Sequence, residues 1–278
     1  MAEISAKDVA TLRKMTGAGM MDCKKALAES DGDMDRAKYW LREKGKAGAA
    51  KREGRAADQG AVDVYLDAKI GALVELNCET DFVAKGDVFK STVASLAKLV
   101  ATNGADDVNN LAFEGTTVGE HLTQLSATMG EKIELGRVAR FESAGGAIDA
   151  YKHVQSDRGI IGVLVELSIA GDAAVATAHD VALHIASAAP RYTTRDDVPA
   201  SDVDHERSVF EAQTKEEGKP EQAWPKIIEG KLNGFFKTVA LVEQGFVKDP
   251  KQSIAQLVGA LGNDAVVTRF VRVKIGEN

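Results

Sequence analysis

Apolar positions along the chain follow two kinds of spacing, and the clearest change between them comes after a short strand-like run. Residues 70–76 are mostly apolar and rich in branched side chains, which is typical of a buried β-strand. Residues 88–97 carry apolar side chains at helical spacing. The strand must therefore give way to a helix within residues 77–85, where Thr80 and Asp81 can accept hydrogen bonds from free backbone amides.

Phe82 lies in this connection, next to an acidic residue. A phenyl ring at such a place either packs into the core of its own domain or points outward as an anchor for another molecule. Large apolar side chains are usually buried, so the pattern alone favours the core position.

Residues 1–44 predict a small bundle of three short helices, near the lower size limit for independent folding. The first helix begins at a capping box that starts with Ser5 and carries Leu12 on its apolar face. The second is expected to be capped by Asp22, and the third to run from about residue 34 to residue 43. Met20 and Met21 either fill the core or form an adaptable apolar contact patch.

Residues 45–59 are dominated by small and basic side chains and lack a stripe of large apolar ones. This composition predicts a linker that is flexible or transiently helical. Its basic excess could contact nucleic acid, although a solvated tether is the favoured interpretation.

The remainder of the chain contains an internal repeat. The recurring pairs are residues 60–65 with 146–151, 70–76 with 161–167, 118–122 with 254–258, and 133–141 with 266–273. Each half therefore reads strand, strand, helix, helix, strand, and three strands with helices on one face form a small α+β layer. We predict an α+β fold with a duplicated three-stranded antiparallel core. Its subdomains cover residues 60–145 and residues 146–189 with 243–278.

Residues 190–242 interrupt the second copy. Two helical patterns separated by a turn predict an antiparallel helical hairpin that projects from the sheet. Because Pro225 fits only in the first turn of a helix, the return helix should begin near Trp224. Such an arm buries little area by itself, so we expect it to bind a partner or a second copy of the chain.

Composition narrows the class of protein. A net charge of -7 argues against general affinity for nucleic acid, and no apolar run reaches the roughly 20 residues of a membrane span. The first residues lack the apolar centre of a signal peptide. Cys23 and Cys78 are the only cysteines, so neither a disulfide framework nor a zinc ribbon is supported. These observations predict a cytoplasmic protein.

The sequence offers no constellation for catalysis. It contains no Ser-His-Asp order, no zinc-protease motif and no dinucleotide fingerprint, and the five histidines are scattered. Cys78 is a candidate nucleophile, but Glu79 and Asp81 beside it would raise the pKa of its thiol, which disfavours the reactive thiolate. A binding protein without metal or cofactor is therefore favoured over an enzyme.

Two long stretches resemble a known family. Residues 12–27 (LRKMTGAGMMDCKKAL) resemble the N-terminal signature of the bacterial elongation factor Ts family, and residues 77–84 (NCETDFVA) resemble its second signature. The domain order, the duplicated core and the inserted hairpin agree with that family across the whole chain. Some members carry a further C-terminal helical module, whereas this sequence stops at residue 278, so contacts made by that module should be missing or supplied elsewhere.

The resemblance implies a guanine-nucleotide exchange factor for elongation factor Tu, with GDP-bound and nucleotide-free Tu as partners. It also implies that the N-terminal bundle is similar to ubiquitin-associated domains and docks on the GTPase domain of Tu. Thr80, Asp81, Phe82 and Val83 would displace the partner's magnesium ion. The partner-binding residues would be Leu12, Met20, Met21, Asp22, Asp81 and Phe82.

Two alternatives stay open at this point. The first is a nucleic-acid-associated adaptor that uses residues 44–55 as a basic arm and the bundle as a protein-docking head. The second is a cysteine-dependent enzyme built on Cys78.

Overall fold

The structure, a computed structural model, describes residues 4–67, 69–262 and 264–277. A bundle of three helices precedes two successive α+β halves, and each half contains a three-stranded antiparallel sheet. The predicted α+β fold class is confirmed.

The N-terminal bundle consists of α1 (Ala6–Thr16), α2 (Met20–Glu29) and α3 (Met34–Arg52). Ser5 caps α1 by accepting a hydrogen bond from the Asp8 amide at 3.1 Å, and Gly17 ends the helix in a left-handed conformation. Gly19, not Asp22, precedes α2. Asp22 instead lies in the first turn, where a carboxylate interacts favourably with the helix dipole.

The first half begins with β1 (Gln59–Leu66) and β2 (Ile70–Cys78) and ends with β5 (Ile133–Glu142), and these strands form a sheet in the order β1-β2-β5. The intervening elements are α4 (Asp81–Ala84), α5 (Asp87–Asn103), β3 (Ala112–Phe113), β4 (Thr116–Thr117) and α6 (Val118–Met129). Side chains of α5 and α6 cover one face of the sheet, and Leu76, Phe89 and Leu96 lie in the resulting core.

The third helix crosses the predicted boundary at residue 44 and ends only at Arg52. Three alanines within residues 47–50 favour helix, and α3 packs against α6. The contact is close, because a Cβ added to Gly45 would lie 3.0 Å from the Cβ of Ala127. Tertiary packing therefore makes helical most of a segment that was expected to be a linker.

The second half repeats this arrangement in a sheet of β6 (Ala147–Gln155), β7 (Arg158–Leu167) and β10 (Val267–Lys274), in the order β10-β7-β6. Its other elements are α7 (Asp172–Ala188), α8 (Ala200–Glu216), α9 (Trp224–Val239), β8 (Gly245–Phe246), β9 (Asp249–Ser253) and α10 (Ile254–Gly259). The repeat includes the short hairpins β3–β4 and β8–β9, which have no apolar alternation in the sequence because three of the strands have two residues and β9 is polar.

The two halves meet through the faces of their sheets that their helices leave uncovered. Apolar side chains from both sheets form one cluster there, comprising Val62, Leu73, Phe141, Ile148, Leu164 and Val273. Helices therefore lie on the outside of both sheets, and the shared cluster joins the halves.

Two buried glutamates occupy equivalent positions in the halves. Glu75 on β2 accepts a hydrogen bond from Nε of Arg137 at 3.1 Å, and Glu166 on β7 accepts one from Nε of Arg269 at 2.6 Å. Each arginine also donates to the backbone of the opposite half: Arg137 to the carbonyl of Lys274 at 3.1 Å, and Arg269 to the last residue of β5 at 3.3 Å. The duplicated ion pairs therefore cross-link the halves reciprocally.

The inserted segment forms the predicted antiparallel hairpin of α8 and α9, and α9 begins at Trp224 with Pro225 in its first turn. The two ends of the inserted segment lie next to each other in the second half. The Tyr192 amide donates to the Val239 carbonyl at 3.0 Å, and the Leu241 amide donates to the Tyr192 carbonyl at 2.8 Å. The chain thus leaves and re-enters the second half at adjacent points.

A buried histidine holds the base of this hairpin. Nδ1 of His184 accepts a hydrogen bond from the Val247 amide at 3.2 Å, so its Nε2 carries the proton and donates to Oε1 of Gln244 at 2.9 Å. The side-chain Nε2 of Gln244 donates in turn to the Thr238 carbonyl at 2.7 Å, near the end of α9. Burial lowers the pKa of His184, which keeps the ring neutral.

We expect the free energy of unfolding to fall as the pH is lowered below about 6.5, the ordinary histidine pKa. There the unfolded chain gains a proton at residue 184 that the folded chain does not accept, so acid favours unfolding. Urea titrations at several pH values should show a weaker pH dependence for His184→Gln than for the unchanged chain. His205→Asn, at an exposed position on α8, should keep the original dependence. Equal dependence in both variants would contradict the assignment.

Candidate functional site

The connection between β2 and α5 is a tight structure that we call the 79–85 turn. Thr80 caps the four-residue helix α4, and its hydroxyl accepts a hydrogen bond from the Val83 amide at 3.4 Å. Val83 and Ala84 are buried in the core of the first half. Phe82 points the other way and is 85% exposed. The core position that the apolar character of Phe82 favours is therefore wrong, and the side chain faces outward, as the resemblance implies.

Val83 requires a correction as well. The sequence motif grouped it with the residues that would act on a partner, but its side chain is only 8% exposed. In a helix as short as α4, neighbouring side chains point in different directions, and the apolar core takes Val83 and Ala84. Val83 anchors the turn, and only Thr80, Asp81 and Phe82 of the predicted group face outward.

The 79–85 turn is hydrogen-bonded to the turn between α6 and β5 through the carboxylates of Glu131 and Glu79. Oε2 of Glu131 accepts hydrogen bonds from the amides of Glu79 and Thr80 at 3.1 and 3.0 Å, and its Oε1 accepts one from the Thr80 hydroxyl at 2.6 Å. In return, Oε1 of Glu79 accepts a hydrogen bond from the Lys132 amide at 2.6 Å. Sequence reasoning missed Glu131, because it follows Thr80 only after a separation of 51 residues.

The charges of the turn are paired locally. Lys85 donates a hydrogen bond to Asp81, which holds the pKa of that carboxyl below its ordinary value. The pKa of Glu79 is lowered chiefly by the Lys132 amide and further by Arg55. Both acids therefore carry their negative charge at neutral pH, and Asp81 directly precedes the exposed ring of Phe82.

Cys78 lies directly beneath this turn and is fully buried. Its thiol donates to the Thr80 carbonyl at 3.1 Å, and burial raises the pKa of Cys78 to about 12, with Glu131 adding to the effect. The direction agrees with the sequence argument, but its causes are burial and Glu131 rather than Glu79 and Asp81. A thiol with such a pKa stays protonated at neutral pH, which opposes a nucleophilic role.

The N-terminal bundle presents a second exposed apolar surface. Met20 is 57% exposed and Met21 is 74% exposed, and we call these two residues the methionine patch. Asp22, beside them, forms an ion pair with Lys44 on α3. Leu12 differs from its predicted place in the binding surface: it is fully buried in the bundle core, because it lies on the inward face of α1.

Neither a metal site nor a membrane-spanning helix is found in the part of the chain that the structure describes. Among residues 4–67, 69–262 and 264–277, no three His, Cys, Asp or Glu side chains are grouped so that they could hold a metal ion. Over that same part of the chain, no helix combines the length and apolar character required to cross a membrane.

Comparison with known proteins identifies the family. The profile described as "Elongation factor TS" matches residues 79–277, and the profile "Elongation factor Ts, mitochondrial, N-terminal" matches residues 2–50. The chain is 48% identical to elongation factor Ts of Thermobifida fusca over 285 residues, covering 100% of both proteins. It is 48% identical to that of Mycobacterium ulcerans, again over 100% of both, and 45% identical to that of Micrococcus luteus over 99% of this chain and 100% of the relative. The chain therefore belongs to the elongation factor Ts family of translation elongation factors.

Proposed function

We propose that this protein is a guanine-nucleotide exchange factor for elongation factor Tu and that it promotes the release of GDP by displacing Mg²⁺ from its partner. The observation that carries this proposal is the exposed ring of Phe82, held on a short helix whose next two residues, Val83 and Ala84, are buried. Family membership supports the role in translation elongation and with it a cytoplasmic location.

The mechanism requires binding and no reacting side chain. In a GTPase, Mg²⁺ bridges phosphate oxygens and neutralises their charge, so its displacement weakens the hold on the nucleotide. Phe82 would enter between elements of the partner beside the phosphate site. Asp81, which is exposed and ionised, would bring a negative charge close to the nucleotide phosphates.

Burying an aromatic side chain can supply the free energy for such a rearrangement. A phenyl ring that becomes buried removes roughly 150–250 Å² from water, which is about 4–6 kcal/mol before the costs of binding. Because Phe82 is 85% exposed in the chain alone, most of this area remains available to a partner. By linkage, the protein must bind nucleotide-free Tu more tightly than GDP-bound Tu, and nucleotide must weaken its binding equally.

The methionine patch would supply a second contact with the GTPase domain of Tu, because methionine side chains adapt to irregular apolar surfaces. We expect Met20→Ala combined with Met21→Ala to weaken binding to nucleotide-free Tu about fivefold, through the loss of exposed apolar area. Titration calorimetry would measure the dissociation constant. Met34→Ala, at a partly buried position of the same bundle, is the control and should leave the affinity unchanged. Unaltered affinity of the double variant would contradict the assignment.

The main alternative was an adaptor that binds nucleic acid through residues 44–55. Three cations of this segment are already paired with carboxylates: Lys44 with Asp22, Lys46 with Glu43, and Arg55 with Glu79. Paired cations attract the phosphates of nucleic acid less strongly, so these ion pairs weaken the case for the adaptor. A dimerisation role for the α8–α9 hairpin stays a prediction.

The release of labelled GDP from purified elongation factor Tu, measured with and without this protein, tests the proposal. We expect release to accelerate with the concentration of the protein and to reach a maximum. Excess Mg²⁺ should oppose the effect. An unchanged release rate at all concentrations would refute the proposed function, and salt-sensitive binding to RNA would then favour the adaptor.

A further inference from the structure

Glu131 lies in the turn between α6 and β5, yet its side chain contacts the 79–85 turn. Both carboxylate oxygens are used: one accepts from the amides of Glu79 and Thr80, and the other accepts from the Thr80 hydroxyl. The Thr80 hydroxyl in turn accepts a hydrogen bond from the amide of Val83, the third residue of α4. Glu131 thus holds the residue that caps the helix carrying Phe82.

The helix α4 needs such external support. With only four residues it is too short to be stable by itself, because the first turn of a helix fixes several backbone angles for one hydrogen bond. The amides of Glu79 and Thr80 lie between the last residue of β2 and the first residue of α4. The carboxylate of Glu131 satisfies both, and hydrogen bonds to an ionised acceptor are stronger than those between neutral groups.

Glu131 is itself fixed by the sheet and by its neighbours. Ile133, two residues further on, pairs with Cys78 across β5 and β2, so both turns extend from one pair of strands. The Ser126 hydroxyl donates to the Glu131 carbonyl, and the Lys132 amide donates to Glu79. The two turns therefore exchange hydrogen bonds in both directions within the chain alone.

We propose that Glu131 is the positioning residue of the exchange reaction, an inference that rests on the proposed function. It orients Phe82 through Thr80 and does not itself touch the partner, since its oxygens are occupied within the chain. A side chain that is already held in its binding geometry loses less conformational freedom when it enters a partner. Without Glu131 the 79–85 turn would have to be ordered during each exchange event.

The test compares the maximum rate of GDP release from Tu for the unchanged protein and for Glu131→Ala, Phe82→Ala and the double variant. We expect Glu131→Ala to lower the maximum rate about fivefold, with the half-saturating concentration changing less than about twofold. If Glu131 acts through Phe82, the double variant should be no slower than Phe82→Ala alone. An unchanged rate for Glu131→Ala, or a further fivefold loss in the double variant, would overturn the proposal.

One further variant separates the positioning role of Glu131 from an effect of its charge, and a second variant is the control. Glu131→Gln keeps a carbonyl oxygen for the amides and an NH₂ group that can donate to the Thr80 hydroxyl, so we expect a rate within about twofold of the unchanged protein. A rate as low as that of Glu131→Ala would assign the effect to charge and overturn the positioning role. Glu134→Ala is the matched control, because Glu134 is exposed on β5 and pairs with Lys132. It should leave the rate unchanged.

Amide hydrogen exchange in the protein alone separates this inference from the proposed function. Glu131→Ala should accelerate exchange at residues 83–86, whose amides bond within the turn, and leave residues 93–100 of α5 protected. Unchanged exchange at residues 83–86 would overturn the inference whatever happens with Tu. Failure of the unchanged protein to stimulate release would instead refute the proposed function, and the exchange data would still report on Glu131.

Discussion

Replacing Phe82 by alanine is expected to slow the stimulated release of GDP from elongation factor Tu by at least about tenfold, equivalent to about 1.4 kcal/mol. The reason is the loss of the apolar area that the exposed ring would bury against the partner. Stopped-flow measurements with labelled GDP would give the rate at saturating concentrations of the variant. The fold should survive, because a side chain that is 85% exposed contributes little to the core.

Two controls make this experiment decisive. Val175→Ala removes another exposed apolar side chain, on α7 in the second half, and should leave the rate of release unchanged. Thermal unfolding of Phe82→Ala should match that of the unchanged protein. A folded Phe82→Ala variant that stimulates release at the original rate would refute the role assigned to the ring.

Arg137→Met is expected to lower the free energy of unfolding by about 3 kcal/mol, because it leaves a buried carboxylate without its cation. The Glu75 side chain is 5% exposed, so water has little access to it, and the hydrogen bond from the Arg137 backbone amide would be left without the accompanying cation. The substitution also removes the hydrogen bonds from Arg137 to the carbonyls of Lys274 and Glu277 in the second half. Urea denaturation would measure the change.

The repeat supplies a matched variant for this prediction. Arg269→Met should lower the free energy of unfolding by a similar amount, because it leaves the carboxylate of the equivalent Glu166 without its cation. Lys46→Met is the contrasting control: its pair with Glu43 is half-exposed at both ends, and its removal should change stability by less than about 1 kcal/mol. A loss for Arg137→Met no larger than that for Lys46→Met would show that the buried pairs do not hold the halves together.

The internal repeat made most of the architecture predictable. Because residues 70–76 and 161–167 recur with the same neighbours, one pattern of strands and helices could be read twice, and the sheet orders agree with it. The length of α3 could not be read in the same way. Its second half lacks a stripe of large apolar residues, and its helical state depends on α6, which is distant in sequence.

The site shows where local patterns stop being informative. Leu12 and Met20 belong to one motif, but the first is buried and the second exposed, since only the packing of three helices decides which side faces inward. Phe82 is exposed although its apolar character favours the core, and only the resemblance to the family indicates its outward position. Glu131 left no local signal, and only the pairing of β2 with β5 brings it to Thr80.

The adjacent exit and return of the chain at Tyr192 and Leu241 has a consequence for how this molecule can vary. A loop whose ends are already hydrogen-bonded adds little closure entropy when it is lengthened or shortened. Whole helical turns could therefore be added to or removed from α8 and α9 in matched pairs without disturbing the register of either sheet. The length of the α8–α9 hairpin can therefore vary without a change in the two sheets.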